Sequence, residues 1–389
     1  MIKIPARQNN SITNHTLHGL DHLRAFAITI VFLYHYGRLF IHPEWVNLIS
    51  KFGWTGVDLF FVLSGYLIAS HLFKEIERYN TISFKTFFIK RFFRIIPAYL
   101  IVVAIYFFLP FVREREALAP AWKYLTFTQN LGLDLRTQGT FSQAWSLCIE
   151  EQFYVILPLA LFALISLNSI KWGAWLLIIL FLSGFLVRLY CYDHLVLPFI
   201  DDEAVWRRWY TAIYYPTYCR LDGLLTGVGL AAACQYFPIV MKRIMKWGNL
   251  ILLPGICILT VAYFLCLDER SFEASVFGFP LVSIGYGLLV MGAISPSGFL
   301  YKVSSRITTT IASLSYGIYL THKFIIHITQ QQLEKFNIAG DSNGMFLLCI
   351  IACLLAAFLL NKIIEKPFLK IRDRFLKVRK EPIYSIEKQ

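Results

Sequence analysis

Ionisable side chains lie inside apolar stretches of this 389-residue chain, at spacings that could support chemistry. In the first such stretch, Arg24 and His35 are 11 residues apart. On an α-helix they would share one face at a separation of about 16 Å. An imidazole can act as a general base, whereas a guanidinium binds anionic groups. The spacing therefore predicts a helix that carries a cation at one depth and a proton acceptor at another.

Further ionisable residues occur in later apolar stretches: Asp58, Glu150, Arg220, Asp222 and His322. Charged groups are costly in lipid unless they face protein or water, so each of these residues is a functional candidate. We expect one of the three carboxylates to orient His35 and raise its basicity, as the third member of a catalytic triad does. His322 is an alternative base. A buried pair of Arg220 with Asp222 that only holds helices together is an equally good interpretation of those two residues.

A basic and aromatic segment, KTFFIKRFFRIIPAYL, occupies residues 85–100. Its Arg91 and Arg94 are three residues apart and would project from one side of a helix, next to Lys90. Two neighbouring guanidinium groups suit a phosphate or a pyrophosphate. The segment therefore predicts a dock for a phosphorylated donor in the cytoplasm. The alternative interpretation is a positively charged membrane anchor with aromatic residues at the interface.

The composition indicates the elements that must position these residues. Hydrophobic residues make up 57% of the chain and charged residues 16%, whereas soluble domains have about 45–50% and about 25%. This excludes a soluble enzyme and a soluble nucleic-acid-binding protein, despite the net charge of +13. We predict an all-α, polytopic membrane bundle of about ten spans, at 23–41, 56–73, 94–112, 145–167, 172–191, 212–233, 248–267, 277–294, 307–328 and 344–363.

Lys and Arg concentrate in the connections that would lie on the same side as the N-terminus, which predicts that both termini are cytoplasmic. The whole chain, 1–389, is expected to form a single transmembrane domain. A cytoplasmic segment, 1–22, would precede the first span, and a basic cytoplasmic tail, 364–389, would follow the last. The expected location is the bacterial cytoplasmic (inner) membrane.

Seven sequence pieces, in order, resemble the membrane-bound acyltransferase-3 family, in a form without an appended hydrolase-like domain. The resemblance covers residues 18–368. The pieces are LDHLRAFAITIVFLYH (20–35), GVDLFFVLSGYLI (56–68), KRFFRIIPAY (90–99), WSLCIEEQFY (145–154), CRLDGLLTG (219–227), SLSYGIYLTH (313–322) and EKPF (365–368). Asp21-His22 departs mildly from the Asp-Gly of many members.

The resemblance implies an O-acyltransferase that moves an acyl group, most often acetyl, from cytoplasmic acyl-CoA to a sugar hydroxyl. By this analogy Arg24 and His35 match the family's essential basic–His pair, Arg91 and Arg94 match residues linked to the CoA phosphates, and Glu150 matches the acidic motif residue. The roles of the other motif positions are less settled, and these are Asp58, Ser64, Arg220, Asp222, Tyr316 and His322. The acceptor would be a surface or lipid-linked glycan, such as an O-antigen or an exopolysaccharide.

Acyl transfer from a thioester needs a base and stabilisation of the developing oxyanion, but no metal and no bound cofactor. Acyl-CoA would dock on Arg91 and Arg94, and His35 would act as the general base or as a transient acyl carrier. Arg24 would meet CoA charge or stabilise the thiolate. A proton-coupled transporter could use the same intramembrane charges, although we find no inverted repeat. A scaffold that has lost the chemistry is the other alternative.

Overall fold

The computed structural model describes residues 18–115 and 117–377, and these residues form helices and connecting segments without any strand. Residues 1–17 of the predicted cytoplasmic segment 1–22 lie outside the described residues. The same is true of residues 378–389 of the predicted tail 364–389. The α-helices of the described part are α1 (His18–Leu39), α2 (Glu44–Ser50), α3 (Gly56–Tyr79), α4 (Phe84–Phe108), α5 (Ala121–Leu125), α6 (Trp145–Ser166), α7 (Gly173–Cys191), α8 (Val205–Trp209), α9 (Asp222–Tyr236), α10 (Pro238–Ile244), α11 (Gly248–Leu265), α12 (Phe279–Ile294), α13 (Phe299–Lys302), α14 (Arg306–Glu334), α15 (Asn343–Leu360) and α16 (Lys366–Lys377).

Seven helical segments of the described chain are long and apolar enough to cross a membrane, which supports a multi-pass membrane protein. They contain α3, α4, α6, α7, α10 with α11, α12, and α15 with α16. The other three predicted spans fall on α1, α9 and α14. Polar side chains lower the hydropathy of α1 and α14, and α9 has only 15 residues. A total of ten spans and the cytoplasmic termini stay predictions.

Two of the less apolar long helices, α1 and α14, lie at the centre of the bundle. α1 packs against α3, α12 and α14, and α3 packs along α9. In the helical segment that contains α7, only 11% of the most apolar 18 residues are buried inside the protein, which places it at the periphery. In the segment that contains α3, 67% of the corresponding residues are buried. Exposed leucines and isoleucines on α7, α11 and α15 fit contact with lipid tails. The polar helices are therefore shielded from lipid by the apolar ones.

Short polar residues define the ends of the helices that carry candidate site residues. Ser305 precedes α14, and its side chain accepts a hydrogen bond from the Thr308 backbone N–H, as an N-cap does. Asn80 ends α3 in the left-handed conformation (φ 51°), and its N–H donates to the Ile76 carbonyl. The chain can then turn within a few residues and enter α4, which carries the basic segment.

α3 and α9 approach each other closely through glycines. A Cβ atom on Gly65 would lie 2.2 Å from the Leu224 carbonyl oxygen, and one on Gly227 would lie 2.2 Å from the Val62 carbonyl oxygen. Both obstacles are backbone atoms that cannot rotate away. Close packing through small residues is a common basis for helix association in membranes.

We predict that Gly65→Ala separates α3 from α9 and lowers the free energy of unfolding by about 1–3 kcal/mol. The control is Gly229→Ala on α9, because its Cβ would meet only the flexible Leu177 side chain, at 3.4 Å. Unfolding of the purified variants in mixed micelles measures the difference. Equal stability of both variants would contradict the close approach.

Candidate functional site

The two histidines singled out in the sequence are in direct contact. His35 on α1 and His322 on α14 are joined by a hydrogen bond of 2.9 Å between His35 Nδ1 and His322 Nε2. His322 is fully buried, whereas His35 is half-buried. The two residues were predicted as alternative bases, and they form one hydrogen-bonded pair.

Backbone contacts determine which ring nitrogens carry protons in the neutral pair. His322 Nδ1 lies 2.9 Å from the Ile318 carbonyl oxygen and 3.0 Å from that of Tyr319. A carbonyl can only accept, so Nδ1 carries the proton and Nε2 has the lone pair. His35 Nδ1–H then donates to His322 Nε2, which leaves the lone pair of His35 on Nε2. The free basic nitrogen of the pair is therefore His35 Nε2.

A buried cation follows the histidine pair in the chain. Lys323 is 3% exposed, its Nζ donates to the Ser142 hydroxyl at 2.8 Å, and it lies 4.0 Å from Glu114 Oε1. Glu114 also accepts a hydrogen bond from the Phe141 backbone N–H. A buried ammonium group needs such partners, since an uncompensated charge would be strongly destabilising. This cluster ties α14 to the segment before α6.

The carboxylates expected to orient His35 have other partners. Asp58 accepts two hydrogen bonds from Arg220 Nη2, both 3.0 Å, and Asp222 accepts bonds from both terminal nitrogens of Arg188, at 2.7 and 3.1 Å. The interpretation that Arg220 pairs with Asp222 is wrong, because Arg220 precedes α9 in a non-helical conformation whereas Asp222 begins the helix. The residue in contact with His35 is His322.

The Arg220 guanidinium is enclosed by aromatic rings. It lies 3.9 Å from the centroid of Phe279, 4.7 Å from that of Tyr214 and 5.3 Å from that of Trp145. Ring faces stabilise a cation that has been removed from water. Asp58 and these rings compensate the buried charge, while Arg220 Nε and Nη1 have no hydrogen-bond partner among the described residues. Arg220 and Asp58 thereby connect α3, α9 and α12 within the core.

One large cavity, of about 920 Å³, lies among α1, α3, α4, α6, α14 and α16. One end carries the predicted donor residues, and we call it the basic end: Arg24, Lys90, Arg91 and Arg94. Of these, Arg24 is paired with Asp21 at 3.0 Å. The volume falls within the range of ligand pockets, which is about 300–1,000 Å³.

Arg91 points into this cavity without a complete set of partners. Its Nε is buried and has no hydrogen-bond partner among the described residues, while its guanidinium lies 5.5 Å from the Tyr154 ring centroid. Buried donors in proteins almost always have a partner, so an unpaired one beside a cavity indicates a place for an acceptor. An anionic ligand would supply it.

Polar side chains line the middle of the cavity. The Tyr154 hydroxyl donates to Glu150 Oε2 at 2.8 Å and lies 3.3 Å from the Ser64 hydroxyl. Tyr316 also lines the cavity, and its hydroxyl donates to the Ile95 carbonyl at 2.9 Å, which joins α14 to the basic turn of α4. Three motif positions from the sequence analysis thus face one space.

On α14 the lining residues run from Thr309 to Tyr319, which lies one helical turn before His322. The hydroxyls of Tyr319 and Ser146, both lining residues, contact each other and lie near the Gln143 carbonyl. Tyr319 precedes His322 by three residues on α14, whereas His35 and His322 themselves are not in the cavity wall. The polar path from Arg91 therefore reaches the turn that carries His322.

Ser146, Tyr154 and Tyr319 line the cavity but were not predicted as site residues from the sequence. A signal was present on α6, because Ser146, Glu150 and Tyr154 are spaced by four residues and must share one helix face. Tyr319 follows Tyr316 by three residues on α14, a spacing that also places the two side chains on one helix face. The spacing would have identified both polar stripes, although it could not have shown that they face each other.

A second charged contact lies beyond His35 on α1. Arg38 Nη2 is 3.9 Å from Oε2 of Glu269, which lies in the loop between α11 and α12. Burial raises the pKa of the Glu269 carboxyl above its ordinary value of 4.5, and the Arg38 charge opposes this rise. A carboxyl whose pKa is raised by folding stabilises the folded state most when it is protonated. Its contribution to the free energy of unfolding is therefore fully present below the pKa of the unfolded chain and is lost as the pH rises through the pKa of the folded protein.

We predict that Glu269→Gln removes this pH dependence. The stability of the wild type should decline as the pH rises above the ordinary glutamate range, and the glutamine variant should decline less. Thermal unfolding of both proteins in detergent over a series of pH values measures the difference. If the unfolding temperatures of the two proteins changed in parallel with pH, the raised pKa of the Glu269 carboxyl would be contradicted.

Comparison with known proteins gives a consistent result. The family model described as an acyltransferase domain, that of the acyltransferase-3 family, matches residues 17–362. A peptidoglycan O-acetyltransferase, OatA, of Listeria monocytogenes is 31% identical over 371 residues, which cover 90% of this chain and 56% of the relative. The O-acetyltransferase OatA of Staphylococcus aureus is 31% identical over 331 residues, or 80% and 50% of the two chains.

A putative O-acetyltransferase of Staphylococcus aureus is 27% identical over 380 residues, 90% of this chain and 57% of the relative. The chain thus spans about half the length of the curated relatives it matches. No solved structure matches it. The family match covers most of the chain, including the histidine pair and the polar cavity residues up to Asn361. The chain belongs to the acyltransferase-3 family.

Proposed function

We propose that this protein is a membrane O-acyltransferase that moves an acyl group, acetyl in the simplest case, from cytoplasmic acyl-CoA to a hydroxyl of a glycan. One observation carries the proposal. A single cavity of about 920 Å³ has cations at one end and reaches the turn of α14 that holds His322 against His35. The names of the relatives, which are O-acetyltransferases, support acetyl as the group transferred.

The donor enters at the basic end. Arg91 and Arg94 bind the pyrophosphate, with Lys90 beside them, because planar guanidinium groups match phosphate oxygens in pairs. The unpaired Nε of Arg91 gains an acceptor in this complex. Arg24, about 16 Å from His35 along α1, neutralises further CoA charge near the entrance.

The pantetheine arm follows Ser64, Glu150 and Tyr154 towards Ser146 and Tyr319, which line the same cavity. Ser146 and Tyr319 line the cavity and His35 does not, so the thioester reaches His35 when the Tyr319 side chain turns away from Ser146. The motion involves one side chain at the end of a preformed cavity. Exclusion of water until the donor is bound protects the thioester from hydrolysis.

The oxygen of the acceptor hydroxyl attacks the thioester carbon, and His35 Nε2 accepts the proton of this hydroxyl. The tetrahedral intermediate then expels CoA as a thiolate, and this sulfur takes the proton from His35. His322 positions the imidazole, since its Nε2 accepts the His35 Nδ1–H bond throughout. This is the orienting role of the third group in a triad, carried out here by a neutral ring rather than a carboxylate.

A glycan on the outer face of the bacterial cytoplasmic membrane is the proposed acceptor. The support is the name of the Listeria monocytogenes relative, a peptidoglycan O-acetyltransferase. A proton-coupled transporter is not favoured, because the family and the relatives are named as acyltransferases.

We predict that His35→Ala lowers transfer from radiolabelled acetyl-CoA to glycan by about 10²-fold or more, because the base is lost. His322→Phe should also lower it strongly, whereas His322→Gln should retain a larger part, since the glutamine carbonyl can accept the His35 Nδ1–H bond. His327→Ala, five residues further along α14, is the control. Wild-type turnover of His35→Ala would remove His35 from the mechanism.

We predict that Arg91→Ala combined with Arg94→Ala weakens acetyl-CoA binding by about tenfold or more, because two charge-assisted contacts disappear. The affinity of the wild type should fall with added salt, and that of the variant should fall less. Lys85→Ala is the matched control, since Lys85 is an exposed cation on the same helix outside the cavity wall. An unchanged affinity of the double variant would disprove the donor dock.

A further inference from the structure

α16 lies beyond the part of the chain that the family match covers, yet it forms part of the cavity wall. The match ends at residue 362, whereas α16 begins at Lys366. Five of its residues line the cavity: Lys366, Leu369, Arg372, Asp373 and Leu376. Their spacing of three and four residues places them on one face of the helix. The cavity therefore has one wall outside the matched residues, of which only Lys366 belongs to the EKPF piece of the family resemblance.

Aromatic contacts hold this helix against the basic turn of α4. The Phe93 ring lies 6.4 Å from the ring of Phe368 and 5.8 Å from that of Phe375, measured between centroids. Phe93 stands directly before Arg94 in the chain. Pairs of rings at these distances stabilise a contact beyond the area that they bury. α16 is thus docked next to the residues proposed to bind the pyrophosphate.

The cavity face of α16 adds two cations. Lys366 is exposed and has no ion-pair partner among the described residues. Arg372 donates from Nε and Nη2 to Asp373 Oδ1 at 2.9 and 2.8 Å, which leaves Nη1 without a partner among these residues. The Asp373 carboxylate holds the guanidinium in place and reduces its net charge. Lys366 and the Nη1 edge of Arg372 remain available to an anion.

We propose, on the basis of the function proposed above, that Lys366 and Arg372 bind the 3′-phosphate on the ribose of acyl-CoA. From the thioester outwards, the donor carries first a pyrophosphate and then this phosphate. With the acyl end inside the bundle, the half-buried Arg91 meets the pyrophosphate, and the cations of α16 meet the outermost phosphate. α16 thereby distinguishes a complete CoA thioester from shorter pantetheine thioesters.

The rival role for a basic amphipathic helix is attachment to anionic lipid headgroups. That role would affect every donor equally, since it does not depend on the 3′-phosphate. The cavity-facing position of Arg372 and Lys366 favours the donor instead. Lys370 and Arg374 are exposed cations of the same helix that do not line the cavity, and they provide a matched control.

The test compares dissociation constants of acetyl-CoA and 3′-dephospho-acetyl-CoA, measured on the full-length protein in uncharged detergent. The wild type should bind acetyl-CoA about tenfold more tightly than the dephospho form, since hydrogen bonds to a charged group are lost with the phosphate. Lys366→Ala combined with Arg372→Ala should bring this ratio close to one while leaving the affinity for the dephospho donor intact. Lys370→Ala combined with Arg374→Ala should keep the wild-type ratio.

Two results would overturn the inference alone. The first is a wild type that binds both donors with equal affinity. The second is a Lys366/Arg372 double variant that keeps the wild-type ratio, including one that loses affinity for both donors by the same factor. Retained affinity for the dephospho donor also demonstrates that the variant is folded. If the wild type binds neither thioester, the proposed function fails together with the inference.

Discussion

The hydrogen bond between His35 and His322 is the contact on which the account of this protein depends. It joins α1 to α14 at a buried position, and the Ile318 and Tyr319 carbonyls determine its direction. A buried polar group without a partner would cost about 1–3 kcal/mol, so the two helices are held in the register that satisfies both rings. The same register leaves one basic nitrogen free, on the ring that is only half-buried.

Two buried ion pairs hold the neighbouring helices of the bundle together. Arg220 with Asp58 and Arg188 with Asp222 connect α3, α7 and α9, and aromatic rings lie beside each cation. Removing one partner of such a pair would leave an uncompensated charge. Motif residues that look chemical in the sequence can therefore serve to hold the bundle around the cavity, while the cavity and the histidine pair are the proposed reactive part.

Much of this organisation could be predicted from local patterns. Helical spacing placed Arg24 and His35 on one face, and the basic segment of α4 indicated an anion site before its cavity was known. The partners could not be predicted, because Arg220 and Asp58 are 162 residues apart and His35 and His322 are 287 residues apart. A local rule offered Asp222 for Arg220, yet helix α9 begins between them and separates their side chains. The apolar sequence signal of a membrane span is strongest in the helices that face lipid. It is weakest in α1, α9 and α14, whose polar or short sequences reflect their central position.

A cryo-EM structure of the protein with a non-hydrolysable acetyl-CoA analogue would show where the donor and its acyl group bind. We predict that the analogue's pyrophosphate lies on Arg91 and Arg94, that Tyr319 has turned away from Ser146, and that the acyl carbon lies within reach of His35 Nε2. An analogue bound with its acyl end away from the histidine pair, behind an intact Ser146–Tyr319 contact, would contradict the account.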